Sequence, residues 1–430
     1  MARPADKKKR WTVMVYLAGD NNLDSAGTAD LLEMKTVGST DQVALVAQFD
    51  RSGAGRTTNR YLLRKNTPLT DDVVTTLGET NTGDPAILRD FVTWAAAQHP
   101  ARHYLLVIWN HGSGWDDSNL YQGDYFSGAA PPVVRKGRVV ARALVADSPA
   151  PVRMDTLRAA ARHGRRSLFR STVAAMVSSR AIAFDDQAQD FLDNIELKRV
   201  LGQIRRALKR PIDLLGFDAC LMSMVEVAYQ VRGHVRVTCG SEEEEPNDGW
   251  PYDTILKALA ARPSMTPAQL AKLIVGRYVA SYGRSEAATL AATDLAGIGA
   301  VADALDRLGR VLTAALKDEA ARAQILAVRT QVQEYTPPYD QYCDVVDLCE
   351  LLARRVRRPG LDATCRAVRA AVSKAVLASA AKGRSVAHSH GLTVYFPKKT
   401  VSRLYGTLDF ARKRGWAGFV DAYTASVARR

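Results

Sequence analysis

The stretch that decides the fold reads His103-Tyr-Leu-Leu-Val-Ile-Trp-Asn-His111-Gly112-Ser-Gly-Trp115. It is a short apolar run that ends in a reactive side chain, and a second such run is Pro211-Ile-Asp-Leu-Leu-Gly-Phe-Asp218-Ala-Cys220-Leu-Met222. Continuous apolar runs of this length are typical of strands buried on both faces of a parallel sheet. Functional groups of open α/β sheets gather at the carboxyl ends of the strands. A histidine at one strand end and a cysteine at another therefore predict a cysteine nucleophile with an imidazole partner.

Predicted strands and helices alternate through the first 260 residues, which indicates an α/β fold with a mainly parallel sheet flanked by helices. Helical patterns cover residues 24–35, 84–98 and 190–209, for example, between strand-like runs. Helical patterns dominate after about Pro263. We therefore divide the chain into a catalytic domain, residues 1–262, and a mainly helical C-terminal subdomain, residues 263–430.

Composition places the chain among globular proteins, with 47% hydrophobic and 24% charged residues. No apolar run approaches the roughly 20 residues that a membrane span needs, so we expect no membrane partner. The first apolar run, residues 11–18, is also too short for a secretory signal, which predicts a cytoplasmic protein unless export takes another route. The five cysteines form neither a disulfide framework nor a zinc pattern, which suits a reduced, reactive thiol.

The net charge of +14 is concentrated in one part of the chain. Residues 129–180 hold eleven basic and two acidic side chains, a net charge of +9. They lie in a stretch rich in Gly, Ala, Pro and Arg, about residues 117–180, which we call the basic insert. Because this charge is local and lacks the interleaved aromatic residues of a single-strand groove, we expect no nucleic-acid partner.

The chemistry of the two strand ends is that of acyl transfer. Cys220 precedes a helix predicted over residues 222–231, whose N-terminal partial charge would lower the thiol pKa. His111 would act as general base and then as general acid toward the leaving amine. The N–H groups of Gly112 and Cys220 are candidate oxyanion donors, since Gly112 has no side chain to block approach. Cys239 also ends a strand, but no helix follows it, so we expect it to be a buried structural residue.

Two acidic residues point to a cationic substrate side chain. Asp218 lies two residues before Cys220 on the same strand, so both side chains face one side of the sheet. Asp248 lies in a Pro- and Gly-bounded loop after the next strand, close enough to border the same pocket. Paired carboxylates beside a nucleophile suit arginine, whose planar guanidinium binds carboxylates bidentately.

These motifs together resemble the clostripain-like cysteine peptidases. The similar segments are Trp11-Thr-Val-Met-Val-Tyr-Leu-Ala-Gly-Asp-Asn-Asn-Leu-Asp24, Asn110-His-Gly-Ser-Gly-Trp115, Phe217-Asp-Ala-Cys-Leu-Met222, Glu245-Pro-Asn-Asp-Gly-Trp-Pro-Tyr252, residues 391–397 and residues 408–416. They follow the family's order from about residue 11 to residue 425, which covers nearly the whole chain outside the basic insert.

The resemblance implies a caspase-like fold with a helical C-terminal part and endopeptidase cleavage after arginine, less readily after lysine. It implies a catalytic dyad of His111 and Cys220, and an S1 pocket lined by Asp218 and Asp248. Members are commonly activated by self-cleavage between the histidine and the cysteine. The family includes calcium-dependent and calcium-independent members, and no calcium-loop spacing is present here, so no cofactor is required but calcium and any metal site stay open.

The separation of 109 residues between His111 and Cys220 is long for the family, and the excess is the basic insert. We expect the insert to be an autoprocessing segment, because an enzyme selecting arginine would find many basic residues in it. The first candidate cleavage sites are Arg135, Lys136, Arg138 and Arg142. The alternative is a surface insertion that is never cut. We expect a monomer, or two associated chains after cleavage, acting on protein or peptide substrates with a basic P1 residue.

Two rival functions stay open from the residues alone. The chain could be a catalytically silent α/β protein that binds basic peptides through Asp218 and Asp248, although the intact Cys–His pair argues against this. Nucleic-acid binding through the basic insert is the weaker rival, for the reasons of charge distribution given above.

Overall fold

The structure is a computed structural model. It describes residues 8–53, 55–110, 112, 114–115, 182–185, 188, 190–246, 248–284, 286–335 and 341–428. All described elements belong to one unit, which takes in residues on both sides of the 116–180 segment. Among them, no helix is both long enough and apolar enough to span a bilayer.

A nine-stranded sheet runs through this unit in the strand order β12-β10-β9-β8-β5-β1-β2-β3-β4. Its five central strands, from β9 to β2, are mutually parallel, and the outer strands on both sides are antiparallel. Two short two-stranded sheets pair β6 with β7 and β11 with β13. The strands are β1 Lys9–Gly19, β2 Val43–Arg51, β3 Thr58–Leu62, β4 Val73–Gly78, β5 Ala101–Trp109, β6 Ile182–Asp185, β7 Asp190–Leu192, β8 Ile212–Asp218, β9 Val235–Gly240, β10 Ala288–Asp294, β11 Tyr342–Asp344, β12 Val376–Lys382 and β13 Thr393–Tyr395.

Helices cover both faces of the sheet. Their bounds are α1 Asp24–Lys35, α2 Pro85–Gln98, α3 Asn194–Leu208, α4 Val225–Val231, α5 Tyr252–Ala261, α6 Pro267–Ser281, α7 Ile298–Ala315, α8 Glu319–Arg329, α9 Val345–Arg355, α10 Leu361–Ala375 and α11 Gly415–Ala428. Apolar residues of α1, α5 and α6 pack on one face, and those of the other helices belong to the cluster on the opposite face. The central sheet is therefore buried on both sides, as an α/β fold requires.

Strand β1 shows why its sequence forms a doubly buried strand. Met14, Tyr16 and Ala18 belong to one hydrophobic cluster, and Val13 and Val15 belong to the other. Successive side chains of a strand point to opposite faces, so an unbroken apolar run fills both cores at once. The predicted fold class, a mainly parallel sheet flanked by helices, is confirmed.

Several predicted boundaries were wrong in detail. The helix predicted over 190–209 is a short strand, β7, followed by α3, because Asp193 and Glu196 form a capping box that begins the helix at Asn194. Residues 376–382, which the pattern did not mark as a strand, form the edge strand β12. The division into domains at residue 262 stays a prediction, although β10 and β12, from beyond that point, complete the sheet.

Candidate active site

The two strand ends singled out in the sequence are direct neighbours. Strands β5 and β8 pair in parallel, with Trp109 opposite Asp218, and the N–H of Asn110 donates to the carbonyl oxygen of Asp218 at 3.3 Å. The side-chain amide of Asn110 donates to the carbonyl oxygen of Ala18, at the end of β1. The chain segment that enters residue 111 is thus fixed beside the segment that enters Cys220.

Cys220 lies in a tight turn after β8, not at the start of a helix. Leu221 adopts a left-handed conformation with φ of 62°, which is uncommon for a residue with a branched side chain. The following helix, α4, begins only at Val225 and has seven residues. The expectation that a helix N-terminus directly adjoins the thiol is therefore wrong, because this turn separates the two.

The sulfur of Cys220 is buried beneath an acidic loop, residues 241–245. The cysteine is 9% exposed, and the N–H of Glu245 donates to its Sγ at 3.2 Å. Burial, together with the charge of Glu244, raises the pKa of the Cys220 thiol well above its ordinary value. This is opposite to the lowered pKa expected from the sequence, and it describes a thiol that is protonated at neutral pH.

Backbone hydrogen bonds and one threonine fix the acidic loop over the nucleophile. The N–H of Ser223 donates to the oxygen of Ser241 at 2.8 Å, and the N–H of Leu221 donates to the oxygen of Glu243 at 3.3 Å. Oγ1 of Thr289, on β10, accepts the N–H of both Glu242 and Glu243 at 3.0 Å. The loop is therefore tied both to the turn that carries Cys220 and to the neighbouring strand.

Gly112 brings the histidine motif into contact with the nucleophile. A Cβ atom built on Gly112 would lie 2.5 Å from the carbonyl oxygen of Cys220 and 3.0 Å from its nitrogen. Only glycine allows so close a backbone approach. The candidate oxyanion residues Gly112 and Cys220 are thus adjacent. His111, the predicted imidazole partner, lies outside the described residues, as do the candidate cleavage sites Arg135, Lys136, Arg138 and Arg142.

The two predicted substrate-binding carboxylates lie on either side of Gly249. Asp218 is 5% exposed and accepts hydrogen bonds from the Tyr252 hydroxyl at 2.7 Å and from the Trp250 N–H at 3.4 Å. Burial raises the pKa of Asp218 to about 6. The α-carbon of Gly249 faces this carboxylate, since a Cβ there would lie 3.2 Å from Oδ1. Asp248, the residue before Gly249, is exposed to solvent.

Further carboxylates that the sequence pattern did not mark lie around Asp218. Asp30 on α1 accepts a hydrogen bond from Nε1 of Trp109 at 2.7 Å, and burial followed by the charge of Asp218 raises its pKa to about 9. Glu33, one turn later on the same helix face, accepts the N–H of Tyr252 at 3.2 Å. The signal in the sequence was the pair of acidic residues at i and i+3 within the otherwise apolar face of α1.

The C-terminal part of the chain also forms a hydrogen bond with the acidic loop. The buried carboxylate of Glu242 accepts the N–H of Gly391 at 2.7 Å. Burial and the nearby Asp344 raise the pKa of Glu242 well above its ordinary value. Asp344 in turn contacts Nδ1 of His390 at 3.0 Å, which identifies a partner for a histidine that had none in the sequence pattern.

Two other reactive side chains in the described part of the chain, Cys239 and His103, have packing contacts typical of structural residues. Cys239 is fully buried, with its sulfur 3.8 Å from the carbonyl oxygen of Ala271. His103 stacks on Trp11 with ring centroids 4.9 Å apart. Within the residues that the structure describes, no group of three or more His, Cys, Asp or Glu side chains is arranged to hold a metal ion.

Comparison with known proteins identifies the family whose sequence pattern this chain matches. A family model described as the clostripain family matches residues 15–125 and 161–423. The unmatched residues between these ranges lie within the basic insert. Clostripain of Hathewaya histolytica is 24% identical over 249 residues, which cover 53% of this chain but only 37% of that protein. The chain thus spans little more than a third of that relative's length.

Solved structures share the fold. An inactive zymogen of a C11 protease from Parabacteroides distasonis is 20% identical, with a TM-score of 0.63 over 95% of this chain and 99% of that one. A secreted C11 cysteine protease from Bacteroides thetaiotaomicron, solved with an irreversible peptide inhibitor, is 19% identical with a TM-score of 0.62 and the same coverage of both chains. At these identities the similarity concerns the arrangement of strands and helices.

Proposed function

Because this chain belongs to the clostripain family of cysteine peptidases, we propose that it is an endopeptidase that cleaves after arginine and, less readily, after lysine. The family resemblance seen in the sequence motifs is confirmed, since the family model spans both His111 and Cys220. The activity of this chain and its preference at P1 are our proposal.

One observation carries the proposal: the loop after β9 contacts both the nucleophile and the buried carboxylate. Glu245 donates its N–H to the Cys220 sulfur at 3.2 Å, and Gly249 packs on the carboxylate of Asp218. A cationic side chain that pairs with Asp218 and Asp248 would therefore bring the adjacent carbonyl group near the sulfur. Such positioning is what a specificity pocket contributes to catalysis.

In the proposed mechanism, His111 removes the proton of Cys220 and the thiolate attacks the carbonyl carbon of the P1 residue. The N–H groups of Gly112 and Cys220 hold the oxyanion that forms. The imidazolium then gives its proton to the leaving amine, and a thioester remains on Cys220. Water, deprotonated by His111, hydrolyses the thioester and restores the free thiol. Each proton taken up by the imidazole is returned within the cycle.

We further propose that the intact chain is a latent form that is cut within the basic insert. A buried thiol with a raised pKa supports a latent state, because thiolate is the reactive species. The proposed cuts follow Arg135, Lys136, Arg138 or Arg142. Wild type and Cys220→Ala run side by side on a denaturing gel would test this. We expect two fragments from wild type alone, and identical single bands would refute self-cleavage.

The activity is tested by hydrolysis of an arginine-aminomethylcoumarin peptide, with matched lysine and alanine peptides as controls. Wild type and Cys220→Ala are compared, each with and without added calcium, because the calcium requirement is open. We expect turnover of the arginine peptide by wild type and none by the variant. Turnover by both proteins would refute Cys220 as the nucleophile. Absence of turnover with arginine-peptide binding retained would favour the silent peptide-binding alternative.

A further inference from the structure

The carboxyl group of Glu245 is buried against the carboxylate of Asp218. The residue is 6% exposed, neither side-chain oxygen makes a hydrogen bond of good geometry among the described residues, and its polar neighbours include the side chains of Asp218 and Trp250. Two acidic side chains in contact at this depth are costly without a counter-charge, so the arrangement calls for a ligand or a function. The position of Glu245 is not loose, because the backbone of the same residue is held by the hydrogen bond to the Cys220 sulfur.

Two further buried polar groups lie beside Glu245. They are Nε1 of Trp250, next to the Glu245 carboxyl group, and the hydroxyl group of Tyr278, next to that of Tyr282, and neither makes a hydrogen bond of good geometry in the described part of the chain. Tyr278 belongs to α6 and Trp250 to the segment before α5, so these polar groups converge from separate elements. Polar groups that converge with poorly satisfied hydrogen bonds in a buried place are typical of a site prepared for a polar ligand.

The titratable groups around Glu245 come from several elements. They are Asp218 and Cys220 at the end of β8, Cys239 on β9, Tyr252 on α5, Tyr278 on α6 and Tyr282 directly after it. Burial raises the pKa of each of these tyrosines and of both thiols, so they are neutral near pH 7. Of these neighbours, Asp218 is the one that carries charge near neutrality.

Two carboxylates so close together in a buried place do not both ionise without a counter-charge. Burial and the neighbouring Asp218 raise the pKa of Glu245 well above its ordinary value, so Glu245 holds a proton while the pocket is empty. A guanidinium between the two groups would supply the missing positive charge. It would also suit them geometrically, since its planar donors can reach two carboxylates at once.

We propose that Glu245 is a further specificity residue, a second buried carboxylate that the P1 cation engages together with Asp218 and that releases its proton to solvent when the cation enters. The inference rests on the proposed function, because it assigns Glu245 to the same P1 pocket. Its consequence is that the pocket acquires its second negative charge only when a substrate cation is bound.

The test uses wild-type protein and agmatine, which carries the guanidinium of arginine but no scissile bond. Calorimetric titration at pH 7 in buffers of different ionisation enthalpy measures the protons released on binding. We expect wild type to release about one proton per agmatine. In Glu245→Gln the release should fall toward zero, and the Kd should rise about tenfold to a hundredfold, as for loss of a charge-assisted hydrogen bond.

Three comparison variants make the result specific. Asp30→Asn removes another protonated carboxyl group near Asp218 and should leave the proton release unchanged. Glu226→Gln neutralises a fully buried carboxylate that is bonded instead to Tyr395 and Tyr405, and should change neither release nor Kd. Glu245→Asp keeps a carboxylate and should retain release with weaker binding, which keeps the test usable if Glu245→Gln does not fold.

The failure of this inference can be told apart from failure of the proposed function. Turnover of the arginine peptide by wild type with no proton release, or with equal release and Kd in Glu245→Gln, refutes the role of Glu245 alone. Proton release that disappears in Asp30→Asn also refutes it, and assigns the titrating group to Asp30. Absence of arginine-directed turnover by wild type refutes the proposed function and this inference with it.

Discussion

Nε1 of Trp109 donates a hydrogen bond to Oδ2 of Asp30 at 2.7 Å, and so joins helix α1 to the end of strand β5. Trp109 is also the register partner of Asp218 on β8. The indole ring therefore stands between a helix carboxylate and the strand that leads to the nucleophile. This contact explains how an acidic residue of α1, far away in the sequence, comes to border the candidate P1 pocket.

We predict that Asp30→Asn mainly changes how the free energy of unfolding depends on pH. Folded protein keeps the Asp30 proton up to a pKa of about 9, whereas the unfolded chain releases it near the ordinary carboxyl value. The free energy of unfolding of wild type should thus fall as pH rises between these values, by up to about 1.4 kcal/mol per pH unit. The variant should lack this contribution, so its stability should fall less steeply with pH in urea unfolding at pH 5, 7 and 8.5. Asp90→Asn, an exposed control, should keep it, and parallel curves for wild type and Asp30→Asn would contradict the prediction.

We predict that Gly112→Ala abolishes most activity while the protein stays folded. The added methyl group would lie 2.5 Å from the Cys220 carbonyl oxygen, so the two backbones must separate. If the N–H groups of Gly112 and Cys220 hold the oxyanion, kcat should fall about a hundredfold or more. Steady-state kinetics, with the Tm as a folding check, measures this. Gly233→Ala is the control, because a Cβ there meets no atom within 4 Å. Activity within twofold of wild type would exclude Gly112 from the oxyanion site.

We predict that agmatine inhibits the enzyme less well as pH falls through about 6. Asp218 must be ionised to hold a cation, and burial raises its pKa to about 6. The proton that Glu245 releases on binding already weakens inhibition about tenfold per pH unit as pH falls toward 6, and below about 6 the inhibition constant should rise by up to a further tenfold per pH unit. Competitive inhibition of peptide hydrolysis between pH 5 and 8 gives the profile. Asp218→Asn should bind agmatine weakly at every pH, and a wild-type profile that does not steepen between pH 6 and pH 5 would argue against Asp218 as a cation ligand.

We predict that Asp72→Asn strongly destabilises the edge of the sheet beyond β3. Asp72 is fully buried, pairs with the nearly buried Lys35 and accepts from Nε of Arg64 at 3.0 Å. Burial alone would raise the pKa of Asp72, but hydrogen bonds from the Arg64 N–H and the Lys35 ammonium outweigh this effect and lower the pKa. Leaving the Lys35 charge unpaired should cost about 3–5 kcal/mol at pH 7.

The same pair predicts a loss of stability in acid. The pKa of Asp72 is lower in the folded protein than in the unfolded chain. The ionised side chain therefore adds to the free energy of unfolding at pH values above the ordinary carboxyl pKa. This added stability is lost as the pH falls toward the pKa of the folded state. Urea unfolding at pH 7 and pH 3 should therefore show a smaller difference between wild type and Asp72→Asn in acid. Glu319→Gln, whose side chain is 89% exposed, serves as a surface control and should change the free energy of unfolding little. An equal loss at both pH values would contradict the assignment.

Much of the fold could be predicted from the sequence because its strands are buried on both faces. The unbroken apolar runs at β1, β5 and β8 have few other interpretations, and α1 begins and ends at the predicted residues, Asp24 and Lys35. Strand β12, Val-Leu-Ala-Ser-Ala-Ala-Lys, escaped notice because an edge strand of small residues has neither an apolar run nor clear alternation.

The candidate site was predicted less completely than the fold. Asp218 and Cys220 could be placed near each other because they are two residues apart, although the expectation that both lie on one strand was wrong: β8 ends at Asp218 and Cys220 lies in the turn that follows. Asp30 and Glu245 could not, because their burial depends on contacts with Trp109 and with the turn at Cys220. The thiol pKa was predicted in the wrong direction for the same reason. A helix dipole can be inferred from local sequence, whereas an acidic loop lying over a sulfur is a tertiary contact.

The pairing of β5 with β8 has a consequence for any molecule cut within the basic insert. Strands β1 to β5 would then belong to one fragment and β6 to β13 to the other, yet five register pairs from Leu105 to Trp109 still join β5 to β8. Their common boundary is the interior of the sheet, so the fragments should separate only when the protein unfolds. Once separated, the two fragments can reassociate only by a bimolecular encounter. At low protein concentration this is far less favourable than refolding of a single chain, in which the two halves stay linked. Heating should therefore inactivate the cut protein irreversibly, with recovery that depends on its concentration, while the uncut chain refolds at a rate independent of it.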